Sequence, residues 1–303
     1  MTRPSLPPGH RWAEGPAGPV EYLVTGSGEP VTMFVPGMTG SIAQTRPFGS
    51  GVGGSRVFLH LRGHGATPVP AGADGAPDPG GCPDLAAEVA AVAAATGATR
   101  ALGVSLGAAA LLRWLADRPD ALDRVVLVLP AALPDGDDRA DGDRRAAGAV
   151  GASSGATRAR LLAMADAVTA ADVESLARLL RAHQPAAVRG RPDVALWARR
   201  RAAELAGTPL APVLRRFAGL APPVAPEELA RITCPVLVVA QEGDEVHPVA
   251  AARRYAESLP DARLEVLPAG AVLWTGRDRL RDLVAGFLDG PAPRPGPTTD
   301  AVA

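Results

Sequence analysis

The chain has 303 residues, of which 47% are hydrophobic, and its 31 basic and 32 acidic side chains leave a formal net charge of −1. This near-neutral charge provides no long-range attraction for nucleic acid or for an anionic membrane surface. All 31 basic residues are arginine, and the absence of lysine excludes Schiff-base chemistry, pyridoxal phosphate and the phosphate-binding GxxxxGK[ST] loop.

The chain contains two cysteines, Cys82 and Cys234, which are too few for a disulfide framework or a cysteine-based metal site. We expect both to be buried thiols. The N-terminal residues are rich in Pro and Gly and contain no apolar core of a secretory signal, and the longest apolar stretches are too short to span a membrane. We therefore expect a cytoplasmic protein that has no membrane partner.

Short apolar runs bounded by Gly and Pro alternate with helical patterns along much of the chain. Predicted strands cover residues 20–26, 31–37, 56–63, 99–104, 123–130, 234–240 and 262–268. Predicted helices cover residues 84–98, with Asp84 as the N-cap, and residues 106–116, 249–259 and 277–288. This alternation is typical of a mostly parallel central sheet with helices on both faces, so the predicted fold class is α/β.

Residues 135–230 carry helical patterns without strand-like alternation, and the α/β alternation resumes after them. We predict a helical cap here, inserted between the core segments 20–134 and 231–290; the alternative is an independent helical domain. The charged stretch 135–145 is predicted to be a mobile, solvated loop rather than a metal site, because its acidic residues come without histidine or ligand spacing. The Pro-rich tail 291–303 is predicted to be disordered.

The pentapeptide GVSLG (103–107) lies between a predicted strand and a predicted helix, as a GxSxG nucleophile elbow requires. In such a turn the serine has a strained backbone, and close chain packing admits only small residues two positions before and after it. The helix N-terminus also directs its N–H groups at the negative charge that develops on attack. The pattern therefore predicts Ser105 as a nucleophile.

At this point the chain resembles the α/β-hydrolase superfamily, and the resemblance extends over most of residues 20–290. The segment VPGMTG (35–40) is similar to the family's loop after the third strand. The resemblance implies an oxyanion hole formed by the backbone N–H groups of Met38 and Leu106. Two further residues of the loop are pocket candidates: Gly37 and Thr39.

Two more segments carry the resemblance. The segment LRGHG (61–65) is similar to the family's loop after the fourth strand, with His60 where an aspartate usually stands, and both His60 and His64 are pocket candidates. The segment QEGDEVHP (241–248) is similar to the loop that supplies the acid of the catalytic triad. This similarity implies that Asp244 is the acid.

The chain departs from the family at the third member of the triad. The family supplies its histidine in the loop after the last strand, but here that loop, residues 267–274, has Ala271 or Val272 in the expected place. No histidine follows His247 in the chain, and a serine without a base is a poor nucleophile at neutral pH. Trp274, beside the vacant position, is a candidate to pack over the site.

Five histidines are possible replacements: His10, His60, His64, His183 and His247. We expect His10 to be solvated in a Pro/Gly-rich arm, and His183 to end a cap helix, where a cation favours the helix C-terminus. His64 is usually structural in relatives of this family, where it bonds to its own loop. His60, near a strand end, is interpreted as a satisfied histidine of the core or rim.

His247 is the candidate base. It follows Asp244 by three residues, and a turn of that length can bring the two side chains together and let the imidazole face Ser105. The alternative is that His247 only precedes the helix begun by Pro248 and forms a polar wall of the pocket.

The leading hypothesis is a hydrolase that acts on an ester, thioester or related acyl bond of a small apolar molecule, through Ser105, Asp244 and His247. No metal or organic cofactor and no nucleic-acid partner is implied. One alternative keeps the fold for isomerisation, cyclisation or proton transfer. Another is an inactive protein that binds a small ligand or a protein partner; the intact elbow argues against it, because a strained turn is costly to keep without use.

Overall fold

The structure is a computed structural model that describes residues 5–131, 155–219 and 224–290. The predicted mobile loop at 135–145 and the predicted disordered tail at 291–303 lie outside these ranges, and both stay predictions. None of the helices within the described ranges is long and apolar enough to cross a membrane.

Eight strands form a single sheet in the order β1-β2-β4-β3-β5-β6-β7-β8. The strands are β1 (His10–Gly15), β2 (Gly18–Thr25), β3 (Val31–Val35), β4 (Ser55–Leu59), β5 (Arg100–Val104), β6 (Arg124–Val128), β7 (Val236–Gln241) and β8 (Ala262–Leu267). Strands β3 to β8 are parallel, whereas β2 is antiparallel to both β1 and β4. The predicted α/β class with a mostly parallel sheet is confirmed.

All four predicted helical segments are helical in the structure. The described helices are α1 (Ile42–Thr45), α2 (Cys82–Thr96), α3 (Leu106–Asp117), α4 (Gly155–Thr169), α5 (Val173–Ala182), α6 (Ala186–Arg189), α7 (Pro192–Leu205), α8 (Ala211–Phe217), α9 (Pro226–Leu229), α10 (Val249–Ser258) and α11 (Arg277–Leu288). The prediction of Asp84 as the N-cap of α2 is wrong, because Gly81 is the N-cap. The Asp84 carboxylate instead accepts a hydrogen bond from the Gly81 N–H at 2.8 Å, which still stabilises the positive end of the helix.

An apolar cluster covers each face of the sheet. Successive residues of a strand point to opposite sides and so belong to different clusters. In β3, Met33 packs on one face and Phe34 on the other. Apolar residues of α2, α3 and α10 belong to the first hydrophobic cluster, and those of α11 to the second. The fully buried β6 and β7 lie between them, as expected for parallel strands with helices on both sides.

Helices α4 to α9 lie in the interval that the sequence predicts as a helical cap, and the described part of this interval contains no strand. The sheet begins at His10 rather than near residue 20, since β1 pairs with β2. The boundaries of the cap stay a prediction.

The carboxyl ends of the parallel strands meet along one edge of the sheet, where ligands bind in open α/β sheets. The strand register places Val35 beside Gly103, and Val128 beside both Val104 and Val239. The loops that follow β3, β5 and β7 are therefore neighbours.

Candidate active site

Ser105 occupies a sharp turn between β5 and α3. Its backbone has φ 48° and ψ −105°, which is a strained conformation for a residue with a side chain. The Ser105 N–H donates to the carbonyl oxygen of Val128 at 2.9 Å, so the neighbouring strand holds the turn in place. The strand–turn–helix arrangement expected of the elbow is present.

The two glycines of the elbow are required by close backbone contacts. A Cβ atom on Gly107 would lie 2.4 Å from the carbonyl oxygen of Val35, and one on Gly103 would lie 2.6 Å from the amide nitrogen of Ala108. Real side chains do not tolerate such distances to backbone atoms. Glycine at both positions therefore lets α3 begin directly against the end of β3.

Asp244 lies in the loop after β7 and is 8% exposed. Its Oδ1 accepts hydrogen bonds from the N–H groups of Val246 at 3.0 Å and His247 at 2.9 Å, and its Oδ2 accepts one from Gln241 Nε2 at 2.9 Å. Burial alone would raise the pKa of the Asp244 carboxyl group, but these hydrogen bonds and the His247 side chain lower it to about 2. Asp244 is therefore an anion at neutral pH.

His247 lies between Asp244 and Ser105. Its Nε2 is 2.8 Å from Ser105 Oγ, and its Nδ1 is 3.3 Å from Asp244 Oδ1. The second contact is within ion-pair distance but is poorly aligned, and Nδ1 has no hydrogen-bond partner within the described ranges. The structure thus brings the three side chains together, with the histidine three residues after the acid.

The loop in which the family carries its histidine contains small and apolar residues at that position here. Residues Ala271–Thr275 form a π-helical turn, and both Ala271 and Val272 are 2% exposed. The Val272 N–H donates to Gln241 Oε1 at 3.4 Å, so Gln241 joins this loop to the Asp244 carboxylate. Sequence analysis missed Gln241; its one signal is a position at the end of a buried strand, three residues before the acid.

The cap packs tightly on the same loop. A Cβ atom on Gly270 would lie 2.4 Å from Cγ1 of Val188, which belongs to α6. Gly270 also has a φ of 77°, a left-handed conformation that favours glycine. Apolar packing therefore occupies the surroundings of the position where the family's histidine is expected.

Met38 and Leu106, the two oxyanion-hole candidates, lie in the loop after β3 and at the first position of α3. Neither backbone N–H has an acceptor in the part of the chain that the structure describes. Gly37 lies close to the serine, since a Cβ atom on it would be 3.4 Å from the Cβ of Ser105. Two N–H groups without an acceptor are thus available beside the elbow.

Thr39 and His64 are joined by a hydrogen bond. The Thr39 N–H donates to His64 Nε2 at 3.1 Å, and His64 Nδ1 lies 3.0 Å from the Arg62 carbonyl oxygen. Burial, assisted by the charge of Arg201, lowers the pKa of His64 to about 4, so the imidazole is neutral with its proton on Nδ1. The interpretation of His64 as a structural histidine agrees with these bonds.

His60 is also fully engaged. Its Nε2 accepts a hydrogen bond from the Ile42 N–H at 3.0 Å, and its Nδ1 is 2.7 Å from Glu21 Oε2.

His10, expected to be solvated, instead lies on β1 with its Nδ1 2.5 Å from Glu21 Oε1, so that expectation is wrong. His10, His60 and His64 line a cleft of about 400 Å³, and Ser105 is not part of its lining.

His183 follows α5 as its C-cap, where the sequence suggested a cation. That suggestion is wrong at neutral pH, because burial and the charge of Arg160 lower the pKa of His183 to about 4. Its Nε2 is buried and has no hydrogen-bond partner among the described residues.

Trp274 makes a hydrogen bond and a ring contact with the cap, and its packing over the site stays a prediction. Its Nε1 donates to Gln184 Oε1 at 2.9 Å, and its ring meets that of Trp197 edge to face, with 5.4 Å between the ring centroids.

In the described ranges, no cluster of three or more His, Cys, Asp or Glu side chains is suited to hold a metal ion.

Comparison with known proteins identifies the family to which the fold belongs. A profile of the α/β hydrolase fold matches residues 30–272, which is most of the chain. The chain belongs to the α/β-hydrolase fold family. The matched stretch contains Ser105, Asp244 and His247.

Solved structures of the same fold cover almost the whole chain. An esterase from Thermogutta terrifontis is 17% identical, with a TM-score of 0.70, and the match covers 92% of this chain and 98% of that one. The esterase RhEst1 from Rhodococcus sp. ECU1013 is 19% identical, with a TM-score of 0.67 and coverages of 92% and 99%. An enol-lactonase from Burkholderia xenovorans LB400 is 18% identical, with a TM-score of 0.68 and coverages of 92% and 100%. A search of curated proteins finds no significant match. At these identities the likeness shows the α/β-hydrolase fold alone.

Proposed function

We propose that this protein is a serine hydrolase that cleaves an ester, thioester or related acyl bond of a small apolar molecule through Ser105. The observation that carries the proposal is the 2.8 Å contact between Ser105 Oγ and His247 Nε2, made at a strained elbow. A serine needs a base within hydrogen-bond reach to become a nucleophile at neutral pH, and this contact supplies one.

In the first half of the reaction, His247 Nε2 accepts the hydroxyl proton while Ser105 Oγ attacks the carbonyl carbon of the substrate. The carbonyl oxygen becomes an oxyanion, which the N–H groups of Met38 and Leu106 stabilise. The tetrahedral intermediate then collapses, the imidazolium protonates the leaving alcohol or thiol, and an acyl-enzyme remains. Water, deprotonated by the same imidazole, hydrolyses the acyl-enzyme and regenerates Ser105.

Asp244 supports the imidazolium that forms at each step. Its carboxylate is ionised at neutral pH and lies 3.3 Å from His247 Nδ1. We propose that these two residues act from one loop, whereas the family supplies its histidine from the loop after the last strand. The close packing of Ala271 and Gly270 is consistent with this arrangement, because it leaves little space for an imidazole at the usual place.

The proposed substrate class agrees with the similar structures and with the residues near the site. Two of the similar structures are named esterases and one an enol-lactonase. Esters and lactones share an acyl–oxygen bond that a serine nucleophile can attack. Met38, in the loop that lies close to Ser105, offers an apolar contact for the rest of a small molecule.

The test is hydrolysis of a series of p-nitrophenyl esters and acyl thioesters by the wild type, Ser105→Ala and Ser50→Ala. Ser50 is an exposed serine and serves as the matched control. We expect Ser105→Ala to lose at least about 10³-fold in kcat, since it removes the nucleophile, and Ser50→Ala to match the wild type. Unchanged turnover of any of these substrates by folded Ser105→Ala would overturn the role of Ser105 as the nucleophile. Turnover of none of them by the folded wild type would overturn the proposal and favour a non-hydrolytic reaction at the same pocket.

A further inference from the structure

A buried arginine of the cap binds the loop that carries Met38. Arg201, on α7, is 6% exposed. Its Nε donates to the Thr39 carbonyl oxygen at 2.6 Å and its Nη2 to the Gly40 carbonyl oxygen at 2.9 Å. Its Nη1 donates to Glu204 at 2.7 Å, so every guanidinium nitrogen has a partner.

Burying the guanidinium costs free energy, and the contacts with the loop have to offset that cost. A buried charge loses its hydration, and only the mostly exposed Glu204 carboxylate balances that of Arg201. Two of the three contacts go to neutral backbone carbonyls of one short loop. The planar guanidinium can hold two adjacent carbonyls in a fixed relation, which a single-point ammonium cannot do.

The loop contains a residue that requires such restraint. Thr39 has a φ of 60°, a left-handed conformation that is strained for a β-branched residue. Its N–H is held by His64 Nε2 and its carbonyl oxygen by Arg201 Nε. Because both of its backbone polar groups are held, the peptide planes on either side of Thr39 are fixed.

We propose that Arg201 is a positioning residue of the reaction: by fixing Thr39 and Gly40, it keeps the Met38 N–H directed at the oxyanion that forms beside Ser105. This inference rests on the proposed function. It makes the oxyanion hole of the core dependent on a side chain of the cap, although Arg201 itself touches neither the substrate nor the reacting atoms.

The other contact of Thr39 does not depend on the guanidinium. Burial is the main cause that lowers the pKa of His64 to about 4, and the charge of Arg201 adds to it, so that Nε2 stays free of a proton and accepts the Thr39 N–H. Loss of the guanidinium therefore removes the contact to the Thr39 carbonyl oxygen and leaves the contact to its N–H.

The experiment compares Arg201→Met and Arg201→Lys with Arg200→Met, a change at an exposed neighbour on the same helix. Using the p-nitrophenyl ester that the wild type hydrolyses best, we expect kcat to fall about 10–100-fold in Arg201→Met with KM changed less than about threefold, less than the loss from deleting an oxyanion donor outright. Arg201→Lys should retain part of kcat, because an ammonium can still hold one carbonyl. Arg200→Met should match the wild type.

A second measurement separates positioning from a general loss of structure. Phenylboronic acid forms a tetrahedral anionic adduct with an active-site serine, so its inhibition constant should rise by about the same factor as kcat/KM falls. Wild-type kcat and boronate affinity in folded Arg201→Met would overturn the inference while leaving the proposed function intact. If Arg201→Met does not fold, Arg201→Lys decides in the same way. Hydrolysis that survives Ser105→Ala would overturn both proposals.

Discussion

The histidines differ in which of their ring nitrogens already make hydrogen bonds. His60 and His64 each use both nitrogens in bonds within the core, so neither is free to take a proton from a serine. Among the described residues, His247 is the histidine whose Nε2 contacts the Ser105 hydroxyl. Position in the hydrogen-bond network, rather than residue type, selects the candidate base.

Two buried histidines make stability depend on pH. The pKa values of His64 and His183 are lowered to about 4 in the folded protein, because burial disfavours the charged imidazole. The unfolded chain takes up these protons near pH 6.5, so folding stability is lost as pH falls from about 6.5 towards 4. We expect each histidine to cost up to about 2 kcal/mol between pH 7.5 and pH 5.

Urea unfolding of the wild type and His183→Gln at pH 7.5 and pH 5 measures this effect. The difference in unfolding free energy between the two pH values should be smaller in His183→Gln. Glu21 and Asp244, whose pKa values in the folded protein are about 2, lose their contributions mainly below pH 4.5 and interfere little here. An unfolding free energy that is the same at both pH values in the wild type would contradict the assignment of neutral, buried histidines.

The elbow joins β5 to α3 with no intervening loop. Ser105 takes the strained conformation, and the glycines on either side allow the helix to lie against the end of β3. The helix N-terminus then presents the Leu106 N–H next to the serine hydroxyl. The geometry of the site therefore depends on two positions that carry no chemistry.

Gly107→Ala should destabilise the protein by about 2–3 kcal/mol, because its new Cβ would overlap the carbonyl oxygens of Val35 and Pro36, and overpacking against backbone cannot be relieved by a rotamer change. Gly286→Ala is the matched control: Gly286 is exposed on α11, with open space around its Cβ position. That change should stabilise the protein by about 0.5–1 kcal/mol through helix propensity alone. Guanidinium unfolding of both variants checks the pair, and equal effects would refute the packing explanation of the elbow.

The core and the cap meet at the candidate site. The core supplies Ser105 and the loop with Asp244 and His247, while the cap contributes Arg201 against the loop after β3 and Val188 against Gly270. These contacts join segments that are far apart in the sequence, and they fix the loops in which the proposed catalytic groups lie.

The sequence predicts the parts of this molecule that follow from local pattern. The buried runs of β6 and β7 are continuous and apolar, and the elbow has its own short motif. Strand β1 was missed because only Ala13 is buried in it, which leaves no clear alternation. Gln241 and Arg201 could not be found in this way, because their burial arises from contacts with segments distant in the sequence.

If His247 activates Ser105, it sets the rate at which a fluorophosphonate phosphonylates this serine. We predict that the wild type is labelled at Ser105, as located by peptide mass spectrometry, and that folded His247→Gln reacts about 10²–10⁴-fold more slowly, since it lacks the base. Labelling of His247→Gln at the wild-type rate, or labelling of the wild type at another residue, would contradict the account.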